Sequence, residues 1–222
     1  MRFAATCTFV FLLCLTSLAG TSAQSGCPAK PSFHSSVPYS ANNRDSLNFS
    51  AHLYIYKGAY DNIRGIDFRN FPLYVDGGIV RLKDGRHKEV DRLGKKFIFY
   101  DEVGLEKADY LTAANVAGPQ YALIFLHDWS AGGSSSQSTI AQVLELRDRK
   151  LRLIQQFQTD DHFGGPWKRS FDADTGTLVM NTAHYKPGDA HCCVSAYDLY
   201  KFKWDGRCFI QTSISTEPSD RQ

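Results

Sequence analysis

Most of the chain from Leu47 onward consists of short apolar and aromatic runs that are separated by turn-forming residues. Runs of this length, bounded by Gly, Asn and Asp, are typical of β-strands. Several neighbouring runs flank a compact turn, among them the Asp-Gly pairs at 84–85 and 205–206, which favours β-hairpins. No segment after residue 23 has a long helical period. The pattern therefore predicts a mostly β to α+β fold: an antiparallel sheet built from consecutive hairpins, with few short helices.

Strand patterns occur in both halves of the chain. They lie at residues 49–56, 66–75, 79–83, 97–100, 110–115, 121–127, 139–146, 151–157, 167–171, 178–185, 194–204 and 207–213. Residues 86–108 have the weakest pattern, and within them residues 101–108 predict a helical turn or a loop. Residues 130–138, rich in Gly and Ser, predict a loop, and the Asp-Gly pair at 205–206 predicts a two-residue hairpin.

The N-terminus has the pattern of a secretory signal peptide. Arg2 precedes an apolar run over residues 3–15, and small residues at 21–23 form a cleavage site. The run is shorter than the roughly 20 residues that span a bilayer, so a retained membrane anchor is the weaker interpretation. A lipoprotein anchor is also disfavoured, because the Leu-Ala-Gly at 18–20 is followed by Thr21 where a lipobox requires Cys.

These segments divide the chain into four parts. They are a signal peptide at 1–23, an extended lead-in at 24–46, a single β-rich domain at 47–216 and a C-terminal tail at 217–222. The expected location of the released chain is periplasmic or extracellular. The chain has 25 basic and 23 acidic residues, a formal net charge of +2. This balance offers no electrostatic attraction to nucleic acid. No nucleic-acid partner and no transmembrane segment in the mature chain are expected, and the sequence identifies no particular partner.

The cysteines indicate disulfide bonds. Two of the six cysteines leave with the signal peptide, and those that remain are Cys27, Cys192, Cys193 and Cys208. An even number in an oxidising compartment favours two disulfides, and four cysteines allow three pairings. A bond between the adjacent Cys192 and Cys193 would strain the intervening peptide. We therefore expect one of these two residues to pair with Cys27 and the other with Cys208.

The second half of the chain contains a series of motifs found in one exported bacterial family. The series is Asn115-Val116-Ala117-Gly118, Tyr121-Ala122-Leu123-Ile124, Gly132-Gly133-Ser134, Gly164-Gly165, Cys192-Cys193-Val194-Ser195 and Trp204-Asp205-Gly206. Over residues 66–212 the chain resembles the LppP/LprE-type lipoproteins. The resemblance implies a fold and an exported location, and it implies no activity.

The chain departs from that family pattern at two places. The acidic turn of the pattern is residues 115–120 here, which contain no carboxylate. Because hard cations need several carboxylate oxygens, no cation site is expected at this turn. Val194 stands where the pattern has proline, which removes one restraint on that turn.

One group of residues is a weak candidate for catalysis or metal binding. It consists of His127, Asp128, Asp160, Asp161 and His162. A divalent metal site needs three or four ligands that converge in space, and this spacing matches no known ligand motif. The alternative interpretation is a solvated loop rich in turn-forming residues.

Other candidate sites have a stronger structural interpretation. A zinc site from His184, His191 and the adjacent cysteines lacks a Cys-x-x-Cys unit, and the compartment favours disulfides. Residues 172–176 begin like a calcium loop but lack the closing acid, so they predict a hairpin turn. The serines at 134–136 lack the Gly-x-Ser-x-Gly elbow of a nucleophile. No metal ion and no cofactor are therefore expected.

These observations favour an exported, non-catalytic domain that binds a ligand or supports an envelope structure. One alternative is an extracytoplasmic hydrolase or metal-dependent enzyme built on the group of five residues from His127 to His162. Another is a secreted inhibitor-like module held by disulfides. Convergence of the five side chains in one pocket would favour the enzyme, and their dispersal would favour the binding domain.

Overall fold

The computed structural model describes residues 27, 47–75, 77–93, 97–115, 118–131, 136–161, 169–184, 186–189 and 195–219. Within these ranges the protein is mostly β, its sheets are antiparallel and built from consecutive hairpins, and no helix has seven or more residues. The predicted fold class is confirmed. Two short 3-10 helices, Ile63–Gly65 and Phe68–Asn70, lie before the second strand. None of the described helices is long and apolar enough to cross a bilayer.

The strands form three sheets that curl into a half-barrel. In chain order they are β1 (Leu47–Ile55), β2 (Pro72–Val75), β3 (Gly78–Arg81), β4 (Arg86–Leu93), β5 (Phe97–Leu111), β6 (Gln120–Ala131), β7 (Ser136–Arg147), β8 (Lys150–Asp161), β9 (Ser170–Asp172), β10 (Thr177–His184), β11 (Ala196–Trp204) and β12 (Phe209–Pro218). The large sheet has the order β1-β8-β7-β6-β5-β4, the second sheet has the order β12-β11-β10-β9, and β2 pairs with β3.

The central strands of the large sheet bury side chains on both faces. Along β6, Ala122 and Leu126 belong to one hydrophobic core, while Leu123 and Phe125 belong to the other. Successive side chains of a strand point to opposite faces, so one continuous apolar run supplies both cores. This double burial is why residues 121–126 are apolar without alternation.

The first core lies between the large sheet and the segment of residues 56–75. Its aromatic members from this segment include Tyr56, Phe68 and Phe71, with ring centroids 5.2–5.8 Å apart for the two pairs that involve Phe71. Burial raises the pKa of Tyr56 above its ordinary value, and its hydroxyl oxygen accepts a hydrogen bond from the Tyr74 N–H at 3.2 Å. The aromatic pattern at 66–75 therefore reflects packing on the large sheet, with strand structure only from Pro72 onward.

The second core lies between the large and the second sheet. Phe157 of β8 contacts Phe202 of β11 with a centroid separation of 4.7 Å, and Phe209 of β12 completes the cluster at 6.1 Å from Phe157. The side-chain amide of Gln155 accepts from the Phe209 N–H at 2.8 Å and donates to its carbonyl at 3.1 Å. This amide therefore joins β8 of one sheet to the beginning of β12 in the other.

A disulfide in the second core joins Cys27 to Cys208, 181 positions apart in the sequence. The expectation that Cys27 pairs with Cys192 or Cys193 is wrong. Cys208 directly precedes β12 and is buried beside Phe209, where Cys27 also packs. Burial of both cysteines in the same core brings them together, which the spacing in the sequence does not indicate. Cys192 and Cys193 lie outside the described residues.

Three local predictions are wrong. The loop expected at 130–138 is shorter, because β6 continues to Ala131 and β7 begins at Ser136. Residues 101–108 belong to strand β5 and form neither a helical turn nor a loop. The loop between β11 and β12 has four residues and not two, because Trp204 pairs with Phe209. The carboxylate of Asp205 accepts hydrogen bonds from the N–H groups of Arg207 and Cys208, at 2.8 and 2.7 Å. These hydrogen bonds stabilise the longer turn by satisfying backbone donors that the sheet leaves unpaired.

Candidate functional site

At one end of the second core, the apolar side chains of the large sheet give way to polar ones. His127 follows Leu123 and Phe125 on the same face of β6, because alternate residues of a strand share a face. In the strand register His127 lies opposite Gly104 of β5 on one side and Thr139 of β7 on the other. The fold thus places a histidine on the face that the second sheet covers elsewhere.

The His127 ring lies against the backbone of Gly104. A Cβ atom added to Gly104 would lie 2.1 Å from Cε1 of His127 and 2.5 Å from Nε2. These distances are far below van der Waals contact, so any side chain at position 104 displaces the ring. The glycine in the middle of β5 is therefore required by the histidine on β6.

A β-bulge in β5 brings a glutamate to the same ring. Leu105 pairs with Leu126 and Lys107 pairs with Phe125, so Glu106 is the extra residue between them. Bulges change the direction of a side chain relative to the regular alternation. A carboxylate oxygen of Glu106 lies 3.4 Å from Nδ1 of His127.

A second glutamate lies at the other edge of the ring. Oε1 of Glu102 is 3.9 Å from Nε2 of His127, and its side chain is only 13% exposed. Lys88 and Arg86 of β4 also contact this carboxylate, at 3.3 and 3.7 Å. The two basic side chains, which are 47% and 65% exposed, partly compensate the charge of the largely buried Glu102.

Arg169, just before β9, joins the two sheets at this point. Its guanidinium donates one hydrogen bond to Glu106 and a second, of 2.6 Å, to the hydroxyl of Thr139. Partial burial lowers the pKa of Arg169 from its ordinary value, and arginine still remains charged at neutral pH. The guanidinium thus connects β5 and β7 of the large sheet to the second sheet.

These side chains line a pocket of ≈ 320 Å³, which we call the His127 pocket. Its lining residues are Glu102, Glu106, His127, Asp128, Trp129, Ser138, Thr139 and Arg169. Among them, Glu102 and Glu106 supply carboxylate acceptors, Thr139 supplies a hydroxyl group and Arg169 supplies a charged donor within one small volume.

The structure brings two of the five candidate residues, His127 and Asp128, into this pocket. Asp160 pairs with Ser138, which in turn pairs with Asp128, so the two aspartates occupy one register level two strands apart. Strand spacing puts such positions about 10 Å from each other. Asp161 pairs with Gln137 at the next level. His162 lies outside the described residues.

Sequence reasoning missed Glu102, Glu106 and Arg169. The two glutamates lie in residues 101–108, which predicted no strand, so their shared face with Gly104 was not apparent. Arg169 lies 63 positions from Glu106 and 30 from Thr139, and no local pattern links positions that far apart.

The contacts described in the His127 pocket do not have the geometry of a metal site. In the part of the chain that the structure describes, no three His, Cys, Asp or Glu side chains are arranged to hold a metal ion. The two glutamates of the His127 pocket approach different ring nitrogens, so they do not share a common point with the ring. A divalent metal requires such convergence.

A second histidine has a carboxylate partner outside the pocket. Nδ1 of His184 on β10 lies 3.0 Å from the carboxylate of Asp198 on β11, whose other oxygen accepts a 2.6 Å hydrogen bond from Thr216 of β12. This row stabilises the end of the second sheet. His191 and the adjacent cysteines, the other members of the zinc candidate, are not among the described residues.

Residues 172–176 form the turn between β9 and β10, as predicted. The carboxylate of Asp172 accepts hydrogen bonds from the Thr175 hydroxyl at 2.7 Å and from the N–H groups of Thr175 and Asp174. These hydrogen bonds hold the pKa of Asp172 below its ordinary value. The hydrogen bond from the Thr175 hydroxyl lowers this pKa the most. The carboxylate serves the hairpin turn.

The chain matches no protein-family model, no curated protein and no solved structure. The resemblance to the LppP/LprE-type lipoproteins therefore stays a prediction.

Proposed function

We propose that the protein is an exported, non-catalytic binding domain and that a small polar molecule binds in the His127 pocket. The observation that carries the proposal is the set of contacts among Glu106, His127, Arg169 and Thr139. These contacts fix hydrogen-bonding groups around a cavity before any ligand arrives. Side chains held in this way lose little conformational entropy on binding.

The size of the pocket supports a small molecule. Its volume of ≈ 320 Å³ lies near the lower end of the range of about 300–1,000 Å³ that small-molecule sites occupy. A macromolecular partner would instead need a much larger and flatter surface. The binding interpretation is therefore favoured over a purely structural role in the envelope.

The contacts in the pocket argue against nucleophilic catalysis. An activated nucleophile needs a base within hydrogen-bond reach. The polar contacts of His127 are with the carboxylates of Glu102 and Glu106. The hydroxyl of Thr139 accepts from the charged Arg169, and this hydrogen bond withdraws electron density from its oxygen. Both features favour binding over hydrolysis.

Two features support export. The first is the signal-peptide pattern at residues 1–23, with release rather than lipidation of the chain. The second is the Cys27–Cys208 disulfide, because such bonds persist in oxidising compartments such as the periplasm and the exterior of the cell.

The proposal is tested by ligand screening of the mature chain. The compounds are neutral sugars, amino acids, organic amines and short carboxylates, and the readouts are the melting temperature and titration calorimetry. We expect at least one compound to bind saturably and His127→Ala to weaken its binding about tenfold or more, the loss of one or two hydrogen bonds.

His184→Ala is the matched control, because His184 also contacts a carboxylate but lies outside the pocket. Its affinity for the compound should equal that of the unmodified protein. Equal losses in the two variants, or no binding compound among the four classes, would contradict the proposal.

A further inference from the structure

A second cavity adjoins the His127 pocket. It has a volume of ≈ 250 Å³, and we call it the Phe171 pocket. Its lining residues are Glu106, Lys107, Phe125, Arg169, Ser170 and Phe171. Because Glu106 and Arg169 line both cavities, their ion pair forms the common wall.

The Phe171 pocket has a different chemistry from the His127 pocket. Two aromatic rings line it, and Phe171 is held edge-on against Phe209 at a centroid distance of 5.9 Å. The one cation besides Arg169 in this lining, Lys107, is engaged by Asp109 at 2.8 Å. With these charged groups engaged in ion pairs, Phe171 and the edge of Phe125 supply the apolar surface of the pocket, which suits one short apolar group.

The charges of the His127 pocket are largely compensated within the protein. Glu102 is paired with Lys88 and Arg86, and Glu106 is paired with Arg169. A charged ligand would have to be desolvated without gaining a free counter-charge from these two carboxylates. A neutral ligand with several hydroxyl groups can instead donate to the carboxylates and pack its C–H surface on Trp129, which lines the pocket.

We propose that the ligand has two parts: a neutral, hydroxyl-rich head group in the His127 pocket and one short apolar group in the Phe171 pocket. This inference rests on the proposed function and specifies its ligand class. The chemistry is that of a glycoside with an alkyl or aryl substituent. The Glu106–Arg169 pair lies where the two parts join and contacts both.

The test compares matched pairs of probes by titration calorimetry on the mature chain. The probes are the methyl and phenyl β-glycosides of glucose, galactose, mannose and N-acetylglucosamine. For at least one sugar we expect the phenyl glycoside to bind about tenfold more tightly than the methyl glycoside, because its ring is removed from water.

Two variants assign this difference to the Phe171 pocket. Phe171→Ala removes one aromatic wall, and Ser170→Trp fills the cavity from an exposed position, so it does not depend on a change in the core. Both should abolish the preference for phenyl while the methyl glycoside keeps its affinity. Ile79→Ala, an exposed apolar residue on β3, is the control and should keep the preference.

The outcomes separate this inference from the proposed function. Equal affinities of methyl and phenyl glycosides overturn the two-part ligand and leave the binding function intact. Binding of amines, carboxylates or amino acids but of no sugar, with dependence on His127, overturns the proposed two-part ligand and leaves the binding function intact. Failure of every compound to bind overturns both proposals.

Discussion

Because Gly104 has no side chain, a histidine ring can pack directly on its backbone. The ring of His127 lies over the glycine, and a glutamate lies toward each ring nitrogen. The absence of a side chain at position 104 therefore sets the position of the most central group of the pocket. The position of the His127 ring thus depends on the absence of a Cβ atom at residue 104.

The dependence of the His127 position on Gly104 can be tested by adding one methyl group at residue 104. In Gly104→Ala the new Cβ would lie 2.1 Å from the His127 ring, so the ring must leave its site. We expect the free energy of unfolding to fall by about 1–3 kcal/mol, the usual cost of overpacking. Binding of the ligand found in the screen should weaken together with stability. Denaturant titration and calorimetry measure the two effects.

Gly65→Ala is the control for this substitution, because nothing lies within 4 Å of a Cβ at that position. It should leave binding unchanged. The double variant Gly104→Ala/His127→Ala removes the clashing ring and should regain most of the lost stability. If the double variant loses as much free energy of unfolding as the two single variants lose together, the two residues do not interact as described.

Two of the residues that line the pocket, His127 and Asp128, were among the five candidates named from the sequence. These two residues are adjacent in the sequence, so an imidazole next to a carboxylate can be recognised from a short stretch of the chain. Glu106 and Arg169 were not found, because a bulge and a contact between sheets position them. Such features depend on the packed sheets and leave no local pattern.

Among the elements, β12 is held at its beginning by a side chain. β12 is an edge strand of the second sheet, and the Gln155 amide on β8 makes both hydrogen bonds that a neighbouring strand would make with Phe209. Gln211, two residues further along β12, is also buried. Neither amide atom of Gln211 has a hydrogen-bond partner among the described residues. The two glutamines thus have similar burial and opposite hydrogen bonding.

Replacing each glutamine by leucine should give opposite results. Gln155→Leu leaves the N–H and carbonyl of Phe209 buried without this partner, so we expect a loss of about 1–3 kcal/mol in the free energy of unfolding. Gln211→Leu removes an amide that makes no hydrogen bond to any residue that the structure describes, and it should be neutral or stabilising. Chemical denaturation of the two variants measures the difference. A larger loss for Gln211→Leu than for Gln155→Leu would contradict this account.

The hairpins could be predicted where turn chemistry and packing agree. The β7–β8 turn at Asp148 and Arg149 was found because polar residues separate two apolar runs, and both turn residues have positive φ. β5 was missed over residues 101–108 because the polar side chains Glu102 and Glu106 face the pocket, so the run is not apolar. Local sequence rules fail where a strand carries polar side chains on a partly buried face.

For the whole molecule, one covalent bond links the segment before β1 to the beginning of β12. In the chain-entropy account, closing a loop of 181 positions stabilises the fold by about 5 kcal/mol, and measured values are often smaller. A domain has only about 5–15 kcal/mol of net stability. Cys27→Ser should therefore lower the melting temperature clearly, and a non-reducing peptide map should join a peptide that begins at Gln24 to one that contains Cys208.

The second single variant and the double variant are the controls. Cys208→Ser should lower the melting temperature by about as much as Cys27→Ser, and the double variant by no more than either, since all three remove the same bond. A disulfide-linked peptide that joins Cys27 to Cys192 or Cys193 would show that the assignment is incorrect. A peptide that begins before Gln24 would contradict cleavage of the signal.

The same bond changes the topology of the chain. Because Cys27 and Cys208 are joined, the residues between them form a closed covalent ring. The exposed turn at Asp148 and Arg149 is part of this ring. A protease that cuts the ring once in such a turn opens it without releasing a fragment. Both pieces stay in one molecule, with their sheets still paired, until a second cut or a reductant separates them.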